Sequence, residues 1–451
     1  MFASCSGCAT HADRLRAARQ SFYSGNVLTA REKIDEGLKK GRRKEHDVLK
    51  LDQAVIDLFS GDVKQAKEAL REVRDSFDYL EQKSMTEGVL AMLTDDNAVA
   101  YAGEDYEKVM IRVLLTLADL VDEGSDAAAY SLQINAKQNE IIQNGIAVKN
   151  PEKPNEPVNP KWAYKYLAIG PYLRGLIREE TLTNYDDAFY AYRQVQQLAP
   201  HFQQGRFDLD RVLNSRHSAQ GNGVVYLFTF VGKGPYKEKE SADATQIGLL
   251  IADQIFSATN KYSVPPTVAP VWIPKIVVPY NRIQTVGVKI NQQPAGNTET
   301  ITNVSQLAQE QHEASRDMVI ARAIMRRIVK KGTVYAAKEI ADVNPWISLA
   351  MDLGGIAWEA VETADTRCWG LLPEKIQVLR VELPEGEHEI VLTPKGESGF
   401  PIGENRTQTV RVHRGRNTYI LANFVEDRLI GRVVSGQSSV VSRQKSVVSS
   451  Q

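Results

Sequence analysis

Two cysteines and a histidine near the N-terminus have residue types and a spacing that could support chemistry. Cys5 and Cys8 form a Cys-x-x-Cys pair, and His11 follows three residues later. A thiolate pair at this spacing can bind zinc or exchange disulfides. Structural zinc takes four ligands, however, and the one remaining cysteine, Cys368, lies far along the chain. Haem attachment would need histidine directly after the second cysteine, where this chain has Ala9.

The residues around Cys8 favour a different chemistry, which is acylation of the thiol. Ser6-Gly7-Cys8-Ala9-Thr10 resembles the cleavage and lipidation site of bacterial lipoproteins, in which small residues precede the cysteine that carries the lipid. Cys5 is the alternative acceptor. A secretory leader has a basic and an apolar segment before such a site, so we expect Met1 to be an internal residue of a longer leader. An incidental cysteine-rich terminus and a thiol-pair metal or redox site are the alternatives.

Other motifs that could carry catalysis are incomplete. His312-Glu313 begins like a zinc-protease helix, but the residue four positions after His312 is Arg316, so the second histidine ligand is missing. Gly221-Asn222-Gly223 precedes a predicted strand and lacks the third glycine of a dinucleotide-binding loop. The chain contains neither GxxxxGK[ST] nor GxSxG. We therefore predict a protein without catalysis of its own, without a cofactor and without a metal site.

Charged residues at two places allow a binding role to be considered. Asp365 and Arg367 could hold a ligand or pair with each other at a seam between domains, and we favour the seam. The segment 326–331 carries four basic side chains, for which a solvated helix face is the simpler explanation. With 55 basic and 56 acidic side chains, the whole chain has no net field that would attract nucleic acid.

Composition and length describe the protein that must position these residues. The chain has 451 residues, 43% hydrophobic and 25% charged, which is typical of a globular protein of about three domains. No stretch approaches the roughly 18 consecutive apolar residues of a membrane-spanning helix. Membrane contact would therefore come through the N-terminal lipid.

An internal repeat is present in residues 11–216, which have the periodicity of short helices. The first copy contains Gly25 and Ala30, and the second contains Gly61 and Ala66, offset by 36 residues, with the same spacing of small and apolar residues after each alanine. A third copy, YDDAFYAYRQVQQLAP, is defined by Tyr185, Ala188, Tyr192 and Pro200. The offset is close to the tetratricopeptide period. An ordinary helical bundle with small residues at its crossings is the alternative.

Tetratricopeptide-like helix pairs bury their apolar faces by stacking, which builds a curved solenoid. The concave surface of such a solenoid typically binds a protein or peptide partner. Residues 149–160 contain four prolines, so they should form an exposed linker within the array.

The period changes in the second half. Residues 223–231 form a continuous run of β-branched, aromatic and other apolar residues, which predicts a buried central strand. We predict a mixed α/β domain over 221–363, a small antiparallel β-sheet module over 364–430 and a disordered tail over 431–451. Within the α/β domain we expect further helices at 247–258, 304–341 and 345–363, and strands at 274–279 and 285–290.

Several segments together resemble a family of bacterial tetratricopeptide-containing lipoproteins. They are the GCAT site, the helix GPYLRGL, the third repeat copy, and DTRCWGLLP ahead of LPEGEHEIVL. The likeness covers most of the chain. It implies a location in the cell envelope and a repeat scaffold, and it transfers no catalytic residue.

Together these features predict an α+β multidomain protein, anchored to the envelope by a lipid on Cys8, with residues 1–10 as leader remnant and anchor site. Ala9-Thr10 lack the acidic residue associated with inner-membrane retention, so we expect the outer membrane, with the protein facing the periplasm. Its function would be to bind protein or peptide partners on the helical-repeat surface. The alternatives are an enzyme or ligand-binding protein with its site in 221–363, and a cytoplasmic tetratricopeptide adaptor.

Overall fold

The structure of the chain, a computed structural model, describes residues 11–87, 100–122, 124–148, 150, 153, 155–182, 184–257, 264–265, 268–341 and 364–437. Cys5 and Cys8 lie outside the described residues, and so does the helix predicted over 345–363. The described chain is α+β, with helices in the N-terminal half and β-sheets in the C-terminal region. This confirms the expected fold class at that level.

The N-terminal half forms a layer of packed helices, called here the helical array. Its α-helices are α1 His11–Tyr23, α2 Val27–Lys40, α3 His46–Ser60, α4 Val63–Glu87, α5 Asp105–Val121, α6 Ala127–Gln143, α7 Ile169–Glu180, α8 Tyr185–Leu198 and α9 Gln203–Leu213. Helices pack in the pairs α1–α2, α3–α4, α5–α6 and α7–α8, and α9 packs on α8. Gly25 and Gly61, which separate the helices of the first two pairs, have φ of +87° and +94°. Glycine adopts this conformation without the steric cost of a Cβ.

The C-terminal region contains the strands and two further helices. The strands are β1 Asn222–Val231, β2 Tyr236–Ala242, β3 Val271–Val277, β4 Thr285–Ile290, β5 Gln293–Asn297, β6 Glu299–Asn303, β7 Lys375–Pro384, β8 Gly386–Lys395, β9 Arg406–Val412, β10 Asn417–Val425, β11 Arg428–Leu429 and β12 Val434–Gly436. The helices are α10 Gln246–Ser257 and α11 Val304–Ala341. The helices predicted at 247–258 and 304–341 and the strand predicted at 285–290 are confirmed.

The main sheet has β1 at its centre. Its strand order is β11-β10-β1-β7-β6, and β12 also pairs with β10. β1 runs parallel to β10 and antiparallel to β7. The prediction of a buried central strand over 223–231 is therefore confirmed.

Both faces of β1 are covered, which explains why its sequence is apolar at nearly every position rather than at alternate positions. Val224, Tyr226 and Phe228 belong to the core shared with the helical array. Val225 and Leu227, on the opposite face, belong to a core shared with a second sheet of order β5-β4-β8-β9. The result is three layers: helices, main sheet and second sheet.

Three helices that come first in their pairs, α3, α5 and α7, face the main sheet, as the following contacts show. Phe59 of α3 packs edge-to-face on Phe230 of β1, with ring centroids 5.2 Å apart. Tyr172 of α7 packs on Phe228 of β1 at 6.4 Å, and α5 packs against β10 and β12. These faces of α3, α5 and α7 are thus covered by the chain's own sheet. The apolar face of a sheet must be buried, and here the array buries it.

The main sheet combines strands from both sides of the expected domain boundary at residue 364. β1, which precedes it, lies between β7 and β10, which follow it, and the β1–β10 pairing is parallel. The region 364–430 is therefore not a separate antiparallel module. Alternation in a sequence identifies a strand but does not identify its partner. The described part of the expected tail 431–451 also contains strand β12, which pairs with β10.

A smaller core lies beside these layers. The antiparallel strands β2 and β3 pack with α10 and α11. Their core contains Ile251, Phe256, Ile273, Ile320 and Ile324. The linker at 149–160 is closed at its base by an isolated bridge between Val148 and Val158, with N···O distances of 2.9 and 2.8 Å. Asn159 is buried and donates to the Ile142 carbonyl at 2.7 Å, so the end of this linker is anchored rather than exposed.

Candidate functional site

A buried network of charged side chains joins the end of the helical array to the main sheet. It consists of Glu179 of α7, Asp208 and Arg211 of α9, and Arg380 of β7. The carboxylates are fully buried, and the side chains of Arg211 and Arg380 are 12% and 7% exposed. Two carboxylates and two guanidinium groups balance in charge. Such pairing is what allows charged groups to be buried at all.

Arg211 is at the centre of this network. Its Nε and Nη2 donate to the Glu179 carboxylate at 2.6 and 2.7 Å, and its Nη1 donates to Asp208 at 2.6 Å. Tyr192 Oη donates to Glu179 at 2.9 Å. Arg380 lies 3.9 Å from Glu179 and 4.0 Å from Asp208. The two-pronged contact between Arg211 and Glu179 combines strength with a defined orientation.

Local periodicity places these groups. On α9, Asp208 lies on the buried face with Gly205 and Val212, at helical spacings of three and four residues. On β7, Arg380 lies opposite Tyr226 of β1 in the antiparallel register. Its guanidinium is 5.8 Å from the centroid of the Tyr226 ring, which is within the range of a cation–π interaction.

The charges and hydrogen bonds of the network indicate that it holds helices of the array in position against the sheet. Burial raises the pKa of the Asp208 carboxyl. Asp208 Oδ2 and Tyr172 Oη are buried and have no hydrogen-bond partner among the described residues. A cavity of about 330 Å³ adjoins α9 and β7, and its lining residues are Asp210, Arg211, Asn214, Arg216 and Glu382. Because each guanidinium nitrogen of Arg211 donates to a carboxylate, the network fixes α7 and α9 against the sheet.

The pair Asp365 and Arg367, which the sequence singled out, lies at the other end of the main sheet. Arg367 Nε and Nη2 donate to the two carboxylate oxygens of Asp365 at 2.9 and 2.7 Å. Arg367 also donates to the Lys44 carbonyl at 3.3 Å and lies 5.3 Å from the Tyr101 ring centroid. Burial acts to raise the pKa of Asp365, but the hydrogen bond from Arg367 lowers it overall. The two side chains pair with each other where the array meets the segment leading into β7, as the seam alternative describes.

Residues 365–373, called here the strap, are held by side chains of the helical array. Arg19 and Tyr23 of α1 each donate to a strap carbonyl at 2.6 Å. Asp52 of α3 and Glu107 of α5 accept strap backbone N–H groups at 3.1 and 2.7 Å. Both carboxylates are fully buried, and burial raises the pKa of each. The strap is therefore bound through its backbone, which fixes the start of β7.

Cys368 in the strap shows no sign of reactivity. Its side chain is buried, and burial raises the pKa of its thiol. A buried cysteine that stays protonated is a poor nucleophile. Within the described residues, no group of three or more histidine, cysteine, aspartate or glutamate side chains could hold a metal ion.

A polar groove lies between the second helices α4 and α6, above α5. It has a volume of about 360 Å³, and its lining residues are Arg74, Asp75, Asp78, Arg112, Gln133, Ala136, Lys137 and Glu140. Lys137 is 2% exposed, and its Nζ lies 2.9 Å from Asp78 and 2.8 Å from Glu81. Arg112 Nη2 donates to Asp78 at 2.6 Å. The floor of this groove thus consists of charged side chains that form ion pairs with one another.

The residues that define the sequence repeat take related positions. Ala30, Ala66 and Ala188 are fully buried, and they lie on α2, α4 and α8, the second helices of their pairs. Tyr192 is also fully buried, and Tyr185 is half-buried at the start of α8. Pro200 follows the end of α8 at Leu198, where a helix-breaking residue is expected. None of these residues belongs to the groove lining.

The charged network around Arg211 was not predicted from the sequence. Its members come from α7, α9 and β7, and Arg380 is 169 positions after Arg211. One signal was available, since Asp208 falls at helical spacing from apolar or small residues that form a buried face. A carboxylate at such a position requires a buried partner. The basic segment 326–331 is described in part, and there Arg327 donates to the Ala269 carbonyl at 2.6 Å.

Comparison of the chain with protein-family models, with curated proteins and with solved structures gave no match. Among the helices of the described ranges, none is long and apolar enough to cross a membrane.

Proposed function

We propose that this protein is a lipid-anchored component of the bacterial envelope that binds protein partners on a tetratricopeptide-like helical array. The anchor would be a lipid on Cys8, as the small residues around it favour. The observation that supports partner binding most directly is the 360 Å³ groove between α4 and α6, which is a formed, polar recess on the array.

A contact that recurs between helix pairs supports the repeat interpretation. Arg31, directly after Ala30, forms an ion pair with Asp57 on the next helix, α3. Lys67, directly after Ala66, lies 2.8 Å from Asp119 on the next helix, α5. Asp57 lies four residues before Gly61 and Asp119 lies five residues before Gly124, and both glycines have positive φ. Similar contacts thus recur at similar places in the two helix pairs, as is expected of stacked repeat units.

The covered faces of α3, α5 and α7 determine where a partner could bind. Because the main sheet packs on the first helices, the accessible surface of the array is formed by second helices such as α4 and α6. Lys137 and Arg112 keep the groove floor rigid through buried ion pairs. The accessible part of the lining mixes both charges with a small residue, since Asp75 and Ala136 are exposed and Arg74 is half-buried. This surface suits an extended peptide with polar side chains better than an apolar helix.

The groove is tested by filling it. Ala136→Arg places a long side chain in the groove, whereas Leu132→Arg changes an exposed residue of the same helix outside the lining. Native electrophoresis of detergent extracts from the source bacterium would report the size of the complex that contains the protein. We expect Ala136→Arg to shift the protein to its free size and Leu132→Arg to leave the complex unchanged. If both variants keep the complex while folding normally, the groove is not the binding site.

The enzyme alternative places a site in 221–363. Of the two cavities described above, the first is lined by residues between 74 and 140, and the second by residues between 210 and 216 together with Glu382. Neither lining includes a residue of 221–363. The mass of the mature N-terminal peptide separates the envelope proposal from a cytoplasmic adaptor, since acylated Cys8 belongs to the first and an unmodified Met1 to the second.

A further inference from the structure

Glu180, the last residue of α7, is a buried carboxylate at the point where the helical array meets the start of β10. Its residue is 2% exposed. It accepts a hydrogen bond from the backbone N–H of Asn417 at 2.9 Å and one from Tyr419 Oη at 3.2 Å. Among the described residues, the cation within 4 Å is Arg416, whose Nε is 3.5 Å away and whose side chain is 24% exposed.

Glu180 is poorly compensated compared with its neighbour Glu179. Glu179 receives two short hydrogen bonds from Arg211, as described above. Glu180 has one longer contact to a partly solvated arginine, and it sits at a helix C-terminus, where the helix dipole disfavours a negative charge. Burial raises the pKa of Glu180 to about 7, although the Asn417 N–H and Arg416 act against this shift.

The other charged and titratable groups around Glu180 come from every element packed there. Arg380 of β7 is directed at Glu179 and Asp208, on the other side of the α7 terminus. Tyr226 of β1 stacks on Tyr419, with ring centroids 5.9 Å apart. On the segment before β1, His217 contacts the Asn417 side chain at 2.8 Å, and burial lowers the pKa of this histidine. None of these groups provides a cation in contact with Glu180.

We propose that Glu180 is a proton-operated clamp that fastens the start of β10 to the end of α7. When the carboxyl is protonated, it keeps an acceptor for the Asn417 N–H and carries no buried charge. When it is ionised, the charge is held by two hydrogen bonds and the partly solvated Arg416. Ionisation therefore loosens the contact between the helical array and the main sheet at this point. This clamp goes beyond the proposed function and does not depend on it.

The direction of the pH dependence follows from the linkage between proton binding and the stability of the folded contact. The pKa of Glu180 is higher in the folded protein than its ordinary value of 4.5 in an unfolded chain. The folded contact therefore binds the proton more tightly, and its stability is fully present below pH 4.5 and is lost as the pH rises through about 7. If local opening exposes Glu180 to water while His217 stays buried, the opening equilibrium should increase about tenfold between pH 6 and pH 8.

Hydrogen exchange tests the clamp on the full chain. The protection factor of peptides covering residues 416–420, corrected for the intrinsic exchange rate, should fall about tenfold from pH 6 to pH 8 in the native sequence. Glu180→Gln keeps an amide oxygen as acceptor without a titrating group, and its protection should change less than twofold over this range. Glu382→Gln, a carboxylate whose pKa is lowered rather than raised, should retain the tenfold fall.

A second variant distinguishes a titrating clamp from a merely structural side chain. Arg416→Met removes the cation near Glu180, so the pH at which the protection factor stops falling should move upward by at least about half a unit. A constant protection factor in the native sequence would overturn the proposal, as would an equal fall in Glu180→Gln. An unchanged upper end of the fall in a folded Arg416→Met protein would also count against it.

Discussion

Arg19 of α1 lies across Gly370 of the strap so closely that a Cβ on this glycine would be 2.2 Å from the Arg19 Cζ. The same guanidinium donates to Asp52 at 2.6 Å and to the Cys368 carbonyl at 2.6 Å. The absence of a side chain at position 370 therefore allows the first helix of the array to hold the segment that leads into β7.

Gly370→Ala should destabilise the protein by displacing Arg19 from this position. We expect a loss of about 2–4 kcal/mol in the free energy of unfolding, because Asp52 is left buried without its cation. Chemical denaturation measures this change. In the double variant Arg19→Ala/Gly370→Ala the clash is gone, so the combined loss should be clearly smaller than the sum of the single losses. Additive losses would show that the two residues do not interact as described.

Arg211→Met should remove the centre of the buried charged network. Glu179 and Asp208 would then remain buried without their main cation, and the expected loss is about 3–5 kcal/mol. The control is Arg206→Met, an exposed arginine on the same helix, for which a change within about 0.5 kcal/mol is expected. Urea denaturation of both variants gives the comparison. Similar losses in the two would mean that the network contributes no specific stability.

Gly61→Ala should be destabilising through its backbone rather than through a clash. Gly61 has φ of +94°, and the nearest atom to an added Cβ is Arg432 Cδ at 3.9 Å. An L-residue in this conformation costs about 1–2 kcal/mol. Asparagine tolerates positive φ better, so Gly61→Asn should lose less than Gly61→Ala. Thermal unfolding of the two variants tests the order, and the reverse order would contradict it.

Asp105 should make a contribution to stability that is lost in acid. Burial acts to raise the pKa of Asp105, but the charges of Lys108 and Lys161 lower it to about 2. Since the ordinary value is 3.8, ionised Asp105 stabilises the folded state above pH 3.8, by roughly 2 kcal/mol, and this contribution disappears as the pH falls toward 2. The advantage of the native sequence over Asp105→Asn should therefore be present at pH 6 and small near pH 2. An advantage of equal size at both pH values would exclude this origin.

Cys8→Ala should release the protein from the membrane fraction, because the proposed anchor is a lipid on this thiol. Cys5→Ala is the matched control and should leave fractionation unchanged. The measurement is the distribution of the protein between membrane and soluble fractions of the cells that produce it, together with the mass of the N-terminal peptide. Membrane association that survives in Cys8→Ala would remove the anchor from the proposal.

Periodicity was sufficient to predict individual elements. The helices at 247–258 and 304–341 and the buried strand at 223–231 are present, because spacing of apolar residues reports which side of an element is buried. The buried alanines Ala30 and Ala66 were found by the same reasoning. The type of an element and its buried face depend on residues close together in the chain, so a local sequence pattern is enough to predict them.

Pairing across the chain was not contained in any local pattern. β1 lies between β7 and β10, whose residues come about 150 or more positions later, and nothing in the alternation of a strand selects its neighbour. For the same reason the main sheet combines strands from both sides of the expected boundary at residue 364. The cover placed by the main sheet over α3, α5 and α7 was likewise not visible in the repeat spacing.

The sequence by itself was sufficient to predict several helices and strands with the apolar residues of their buried faces, and it shows that Cys8 has the surroundings of a lipidation site. The tertiary structure alone decided that the main sheet covers α3, α5 and α7 of the array. It also decided that Arg211, Glu179, Asp208 and Arg380 meet in one buried network. The physical reason is that burial of apolar faces follows local spacing, whereas charges can be buried only where distant segments bring a partner.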